Sequence, residues 1–83
     1  MQRYVKLYSL STCSHCRAAK NLLNDYKVDY EFIDVDLLEG KERKAILDEV
    51  RKINPQCSFP TIIIGDKVII GYQDDKIREA LKP

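Results

Sequence analysis

Within the first 35 residues an alternating stretch, a helical stretch and a second strand-like stretch follow one another, and this succession restricts the fold more than anything else in the chain. Residues 3 to 8 alternate apolar and polar side chains, the period of a half-buried strand. Apolar positions then fall at Cys16, Ala19, Leu22, Leu23 and Tyr26, the spacing of an amphipathic helix. Tyr30, Phe32 and Ile33 open a second strand that reaches about Val35. Strand, helix and strand at this length make a βαβ unit, with parallel strands and a right-handed crossover. A second helical pattern, from Leu38 or Glu39 to Ile53, carries Ile46, Val50 and Ile53 on its apolar stripe and stops at Asn54-Pro55. An extended stretch, Gln56 to Phe59, leads into Pro60. Thr61 to Ile64 and Lys67 to Ile70 are β-branched runs separated by Gly65-Asp66, a two-residue hairpin signature. Gly71 breaks the second run, and Asp74 or Asp75 is placed to cap a last helix with Ile77, Ala80 and Leu81 on its apolar face. The order is β-α-β-α-β-β-α, an α/β arrangement, without repeat, linker or low-complexity segment.

Eighty-three residues make one small domain, 1–83, with a single modest core. Fourteen basic against thirteen acidic side chains argue against binding nucleic acid or a membrane surface through bulk charge. The charge is unevenly spread. Residues 1 to 28 hold Arg3, Lys6, Arg17, Lys20 and Lys27 against Asp25 alone, whereas residues 29 to 49 are rich in Asp and Glu. No apolar run approaches the ~20 residues of a membrane helix. Charged and polar residues interrupt Met1 to Leu10, so the chain lacks a signal peptide's apolar core, and a soluble, cytoplasmic protein is expected. Three cysteines, an odd number, do not suit a secreted disulfide scaffold. In a reducing compartment, a close pair points to catalysis or metal binding.

That pair is Cys13-Ser14-His15-Cys16, where the first strand gives way to the first helix. Ser9 to Thr12 supply turn and N-cap chemistry. A cysteine at a helix N-terminus meets unsatisfied backbone N–H groups and the positive end of the helix dipole, both of which favour thiolate. Cys16 lies one turn on, on the same face, within reach of a disulfide. This is the geometry of a reversible dithiol. Cys13, the exposed member, is expected to attack, with its pKa lowered by first-turn amides and by the charges of Arg17 and Lys20. Cys16, on the buried face, is expected to stay protonated until it resolves the mixed disulfide. An inert core thiol at Cys13 is the competing reading.

A Cys-x-x-Cys in a first strand–helix loop also occurs in soft-metal chaperones, but those run β-α-β-β-α-β. Here a helix precedes the hairpin, and Thr12 precedes the first cysteine. Three motifs in register, Thr12-Cys13-Ser14-His15-Cys16, Ser58-Phe59-Pro60-Thr61 and Gly71-Tyr72 followed by Asp74-Asp75, resemble the glutaredoxin type of the thioredoxin superfamily over essentially the whole chain. The resemblance implies a thioredoxin-like fold, a central four-stranded mixed sheet with three helices. It implies a monomeric dithiol protein disulfide oxidoreductase serving cell redox homeostasis and electron transport. It also implies a cis bond at Pro60, glutathione as cosubstrate, protein disulfides as partners and no tightly bound cofactor or metal. By the same resemblance Phe59, Pro60 and Thr61 offer backbone to a cysteinyl substrate, and Asp74 and Asp75 receive the γ-glutamyl end of glutathione. From the residues alone, a trans proline opening an edge strand is the favoured reading of Pro60, and the two aspartates need only cap a helix.

Some positions depart from the family pattern. His15 stands where an aromatic residue is common; an imidazolium there stabilises a Cys13 thiolate, while an exposed residue without a role is the alternative. Ser14 replaces a proline, which in similar proteins accompanies a shared iron–sulfur cluster and leaves that reading open. No basic residue lies between Ser9 and Cys13, where a lysine or arginine usually meets a glutathione carboxylate. An electron donor of the thioredoxin reductase type is therefore the rival to glutathione. Cys57 is either a third redox partner or a small loop side chain, and Tyr8 and Tyr72 either flank a substrate groove or belong to the core.

Overall fold

The computed structural model describes residues 4–82. The elements follow the predicted order: β1 (Val5–Ser9), α1 (Ser14–Asp25), β2 (Glu31–Asp34), α2 (Gly40–Ile53), β3 (Thr61–Ile64), β4 (Lys67–Ile70) and α3 (Asp74–Leu81). Part of the first expected strand, at Arg3, lies outside the described residues. A single 3-10 turn, Val35–Leu37, follows β2 where the strand was expected to reach Val35.

The four strands form one mixed sheet in the order β2-β1-β3-β4. β1 runs parallel to β2, as the βαβ reading requires, and antiparallel to β3. β3 and β4 form the hairpin across Gly65-Asp66, where Gly65 takes a left-handed φ of 61° that its missing Cβ permits. The inner strands are thus β1 and β3. Val5 and Leu7 of β1, Ile62 and Ile64 of β3 and Ile69 of β4 join Ala19, Leu22 and Leu23 of α1 and Ile77 and Ala80 of α3 in the main core. Burying a single leucine or isoleucine side chain contributes about 1.5–3 kcal/mol.

Strand residues alternate between faces, so Lys6 and Tyr8 look the other way, towards α2. The Tyr8 hydroxyl donates to Glu49 Oε1 (3.1 Å), and Lys6 Nζ lies 5.1 Å from the centre of the Tyr8 ring. Tyr8 is buried within the fold, and Tyr72 packs half-buried against the main core. The apolar stripe of α2 is narrower than expected. Val50 is fully buried while Ile46 and Ile53 are half-covered, because α2 reaches the sheet mainly through its C-terminal half. Tyr26 also departs from its expected place. It is the C-cap of α1, beyond the last helical turn, and turns outward beneath the Arg78 guanidinium.

Two caps differ from expectation. Cys13 itself, rather than a residue of Ser9–Thr12, is the N-cap of α1, and its sulfur accepts the Cys16 N–H. At α3 the N-cap is Gln73, with no side-chain cap bond. Asp74 is instead the first helical residue, and its carboxylate is drawn to Arg78 one turn on and to the Tyr72 hydroxyl. Among the described residues, no helix is long and apolar enough to cross a membrane.

Candidate active site

Strand register gathers the three motifs at one end of the sheet. Tyr8 of β1 pairs with Thr61 of β3, and Thr61 pairs with Ile70 of β4. The chain leaving β1 towards Cys13, the chain entering β3 through Pro60 and the chain leaving β4 through Gly71 therefore emerge side by side. Gly71 N–H donates to Pro60 O (2.8 Å), tying two of them together. The Phe59–Pro60 peptide is cis, as the family resemblance implied.

The two cysteines are in contact. Cys16 N–H donates to Cys13 Sγ at 3.3 Å, and both thiols are free. Cys13 is partly exposed, whereas Cys16 is wholly buried under the first turn of α1. Their environments drive them apart. The Cys16 thiol donating to Cys13, followed by the Cys16 and His15 amides, holds Cys13 below its ordinary pKa, with burial opposing. Burial pushes Cys16 up to about 12, reinforced by its hydrogen bond to Cys13 and the Cys13 charge, while the Leu10 amide and Lys20 pull it back. The two environments thus favour the thiolate at Cys13 and the thiol at Cys16.

Arg17 and Lys20 do not act on Cys13 as expected. Neither charge is among the causes of its lowered pKa; amides and the neighbouring thiol do that work. Lys20 points beneath the site, with its Nζ 3.0 Å from Asp34 Oδ1 and 4.4 Å from the centre of the Phe32 ring, and acts on Cys16 instead. His15 and Arg17 both lie exposed on α1.

Phe59 is half-buried, and Pro60 and Thr61 are fully buried. The Thr61 hydroxyl turns inward, donating to Ser58 O (2.7 Å) and accepting from Asn54 Nδ2 (3.0 Å). Asn54, expected only as a helix stop, organises the loop between α2 and β3. Its wholly buried amide also donates to Ser58 O (3.2 Å) and Ser58 Oγ (3.1 Å), and its Oδ1 accepts the Gln56 N–H (3.2 Å). The one available signal was a carboxamide followed by Pro, Gln, Cys and Ser. Cys57 sits in this loop with a left-handed φ of 51°, its N–H bonded to Asn54 O.

Asp74 flanks the Gly71 turn, its carboxyl held below the usual range chiefly by Arg78. Asp75 is exposed and lines a groove of about 590 Å³ between β4 and α3, shared with Lys67, Val68, Ile69, Lys76 and Glu79. That groove includes neither cysteine. No group of three or more His, Cys, Asp or Glu side chains among the described residues is arranged to hold a metal ion.

Comparison with known proteins agrees with this geometry. The family model described as Glutaredoxin matches residues 5–69, which include both cysteines, Pro60 and all but the last residue of the hairpin. A crystal structure of methanoredoxin from Methanosarcina acetivorans is 43% identical, with a TM-score of 0.91, covering 96% of this chain and 85% of that one. A glutaredoxin from Archaeoglobus fulgidus is 38% identical with a TM-score of 0.92, covering 98% and 88%. Mitochondrial glutaredoxin-2 from Bos taurus is 31% identical over 84% of this chain, which spans only 43% of that relative's length. A Cys-x-x-Cys pair at a helix start, a cis-proline beside it and a match of this extent lead to one conclusion: the chain belongs to the glutaredoxin family of thiol–disulfide oxidoreductases.

Proposed function

We propose that the chain is a dithiol oxidoreductase in which Cys13 attacks and Cys16 resolves. The observation that carries this reading is the cysteine pair joined by the Cys16 N–H to Cys13 Sγ bond, with opposed proton affinities, Cys13 lowered and Cys16 raised. The Cys13 thiolate attacks one sulfur of a substrate disulfide, forming a mixed disulfide and releasing the other sulfur as a thiolate. Cys16 then loses its proton to solvent and attacks Cys13 Sγ, forming the Cys13–Cys16 disulfide and expelling the second substrate thiolate. Two electrons pass from the dithiol to the substrate. A proton affinity lowered at the attacking sulfur and raised at the resolving one suits these two steps.

The substrates are protein disulfides and glutathione mixed disulfides, handled by a cytoplasmic monomer, with glutathione returning the electrons. The Phe59 backbone beside the cis-proline is offered to the cysteinyl residue, and the Asp74-Asp75 turn to the γ-glutamyl end. Leu10, in place of the usual basic residue, removes one charge-assisted contact to glutathione. Such a loss costs about 1–2 kcal/mol, roughly tenfold or somewhat more in affinity. That position favours a second reading, a donor of the thioredoxin reductase type.

Two measurements separate these readings. Alkylation against pH in a Cys57→Ser background that keeps the Cys16 thiol, with the Cys13 adduct identified by mass, is expected to show a midpoint below the ~8.5 of free cysteine; a midpoint at or above that value removes the nucleophile assignment. The oxidised protein is then offered glutathione with glutathione reductase and, separately, NADPH with thioredoxin reductase. Slow but saturable reduction by the first system supports the glutathione assignment, and fast reduction by the second alone replaces it.

A further inference from the structure

The loop between β1 and α1 is held from both sides by one short segment, Asp34-Val35-Asp36. On one side the buried Ser9 Oγ donates to Asp34 Oδ1 at 2.5 Å. On the other, Ser11 N–H donates to Asp36 Oδ1 at 2.8 Å and Ser11 Oγ to Asp36 Oδ2 at 2.5 Å, a two-pronged grip by a single carboxylate. Val35 between them is buried, at 2% exposure, and anchors the segment in the fold. Leu10, between the two gripped serines, touches both cysteines through its backbone. Its carbonyl accepts the Cys13 N–H (3.3 Å), and its N–H donates to Cys16 Sγ (3.4 Å).

We propose that Asp36 is a positioning residue for the second chemical step, its grip on Ser11 holding the Leu10 N–H against Cys16 Sγ while Cys16 attacks the mixed disulfide. The inference rests on the dithiol reading above. Before the first step, two of the influences that keep Cys16 protonated come from Cys13, a hydrogen bond and its charge. Both disappear when Cys13 enters the mixed disulfide. What then favours negative charge on Cys16 is the Leu10 amide and Lys20. An amide aimed at a developing thiolate acts only if it is already in place, and Leu10 sits between the two gripped serines. Asp34 serves the same loop but also pairs with Lys20, so Asp36 is the member whose removal isolates the grip. The amides that favour the Cys13 thiolate belong to His15 and Cys16 within α1. Loosening Leu10 also frees the Cys13 N–H from the Leu10 carbonyl but leaves those amides in place, so it bears chiefly on the second step.

The test uses the full chain with Cys57→Ser, mixed rapidly with 5,5′-dithiobis(2-nitrobenzoate). The first equivalent of coloured thiolate reports attack by Cys13 and depends on reagent concentration. The second reports expulsion by Cys16 and does not. Asp36→Ala is expected to slow the second phase by roughly three- to tenfold, the loss of one well-made hydrogen bond, with the first phase slowed distinctly less. Asp36→Asn retains an oxygen for the Ser11 N–H and is expected to stay close to the parent. Ser11→Ala, which loses only the hydroxyl contact, falls between. An unchanged second phase in Asp36→Ala, an equal slowing of both phases, or an Asp36→Asn variant as slow as Asp36→Ala overturns the proposal. Absence of a second phase in the parent overturns the dithiol reading itself, and the two failures are distinct.

Discussion

Replacing Asn54 by alanine is the most informative perturbation of the scaffold, because one buried amide holds the loop that delivers Pro60. Its Nδ2 faces Ser58 O, Ser58 Oγ and Thr61 Oγ1 at 3.0–3.2 Å, and its Oδ1 accepts from Gln56 N–H at 3.2 Å. Two amide hydrogens serve three acceptors, so the set amounts to about three full bonds rather than four, at a net ~0.5–1.5 kcal/mol each. Gln56 is exposed and its N–H regains water after truncation, whereas the Ser58 and Thr61 oxygens are less able to do so. The expected loss is about 2–4 kcal/mol, which at ~4–8 °C per kcal/mol for a domain of this size lowers Tm by roughly 10–30 °C. Urea unfolding of the reduced protein, followed by circular dichroism, measures it directly. Asn54→Asp sharpens the reasoning: it keeps the shape but turns a donor into an oxygen facing three oxygens, so at pH 7 it is expected to be at least as damaging. An alanine variant within about 0.5 kcal/mol of the parent, or an aspartate variant matching it, refutes the claim that donation by this amide holds the loop.

Two further outcomes follow from the titrating groups. The folded-state pKa of Cys16 lies above its unfolded value, 9.0 rising to about 12, so its contribution to stability is complete below pH 9 and is lost as pH climbs towards 12. Reduced protein is expected to lose stability across that window more steeply than Cys16→Ala, and equal slopes in urea titrations count against the buried-thiol argument. Asp74 is displaced in the opposite direction, chiefly by the Arg78 hydrogen bond, so its contribution is present above the ordinary carboxylate range and is lost as pH falls through the lower folded value. Arg78→Met is expected to raise the Asp74 carboxyl pKa, read by carbon NMR against pH; an unmoved value assigns the effect to Tyr72 instead.

The order of elements was legible because each apolar run matches one period, and no Gly or Pro interrupts an element interior. The cysteine pair was legible for the same reason: Cys13 and Cys16 fall where the strand period changes to a helical one. Residues whose roles depend on tertiary proximity were not. Asp34 and Asp36 sit in an acidic stretch that reads as a solvated face, and only the parallel pairing of Ser9 with Asp34 brings them under the Cys13 loop. Asn54 reads as a stop signal, a local role that conceals its buried amide. Lys20 was misassigned because helical spacing places it near the cysteines without saying which sulfur it approaches. The cap of α3 was misplaced for a competing reason, since Arg78 captures the Asp74 carboxylate that would otherwise have turned back to the helix amides.

A helix whose cap is its own reactive sulfur couples folding to electron count. With Cys13 as N-cap of α1, the first turn is completed by an acceptor that is strongest as a thiolate and weakest once bonded to a second sulfur. If that change amounts to ~1 kcal/mol, the usual scale of an N-cap, it appears as about 20 mV in a two-electron couple. The sign favours the reduced protein and makes the disulfide form the better oxidant. Substitutions that alter how tightly α1 winds at its first turn, even without touching either cysteine, therefore act as tuning screws on the redox potential.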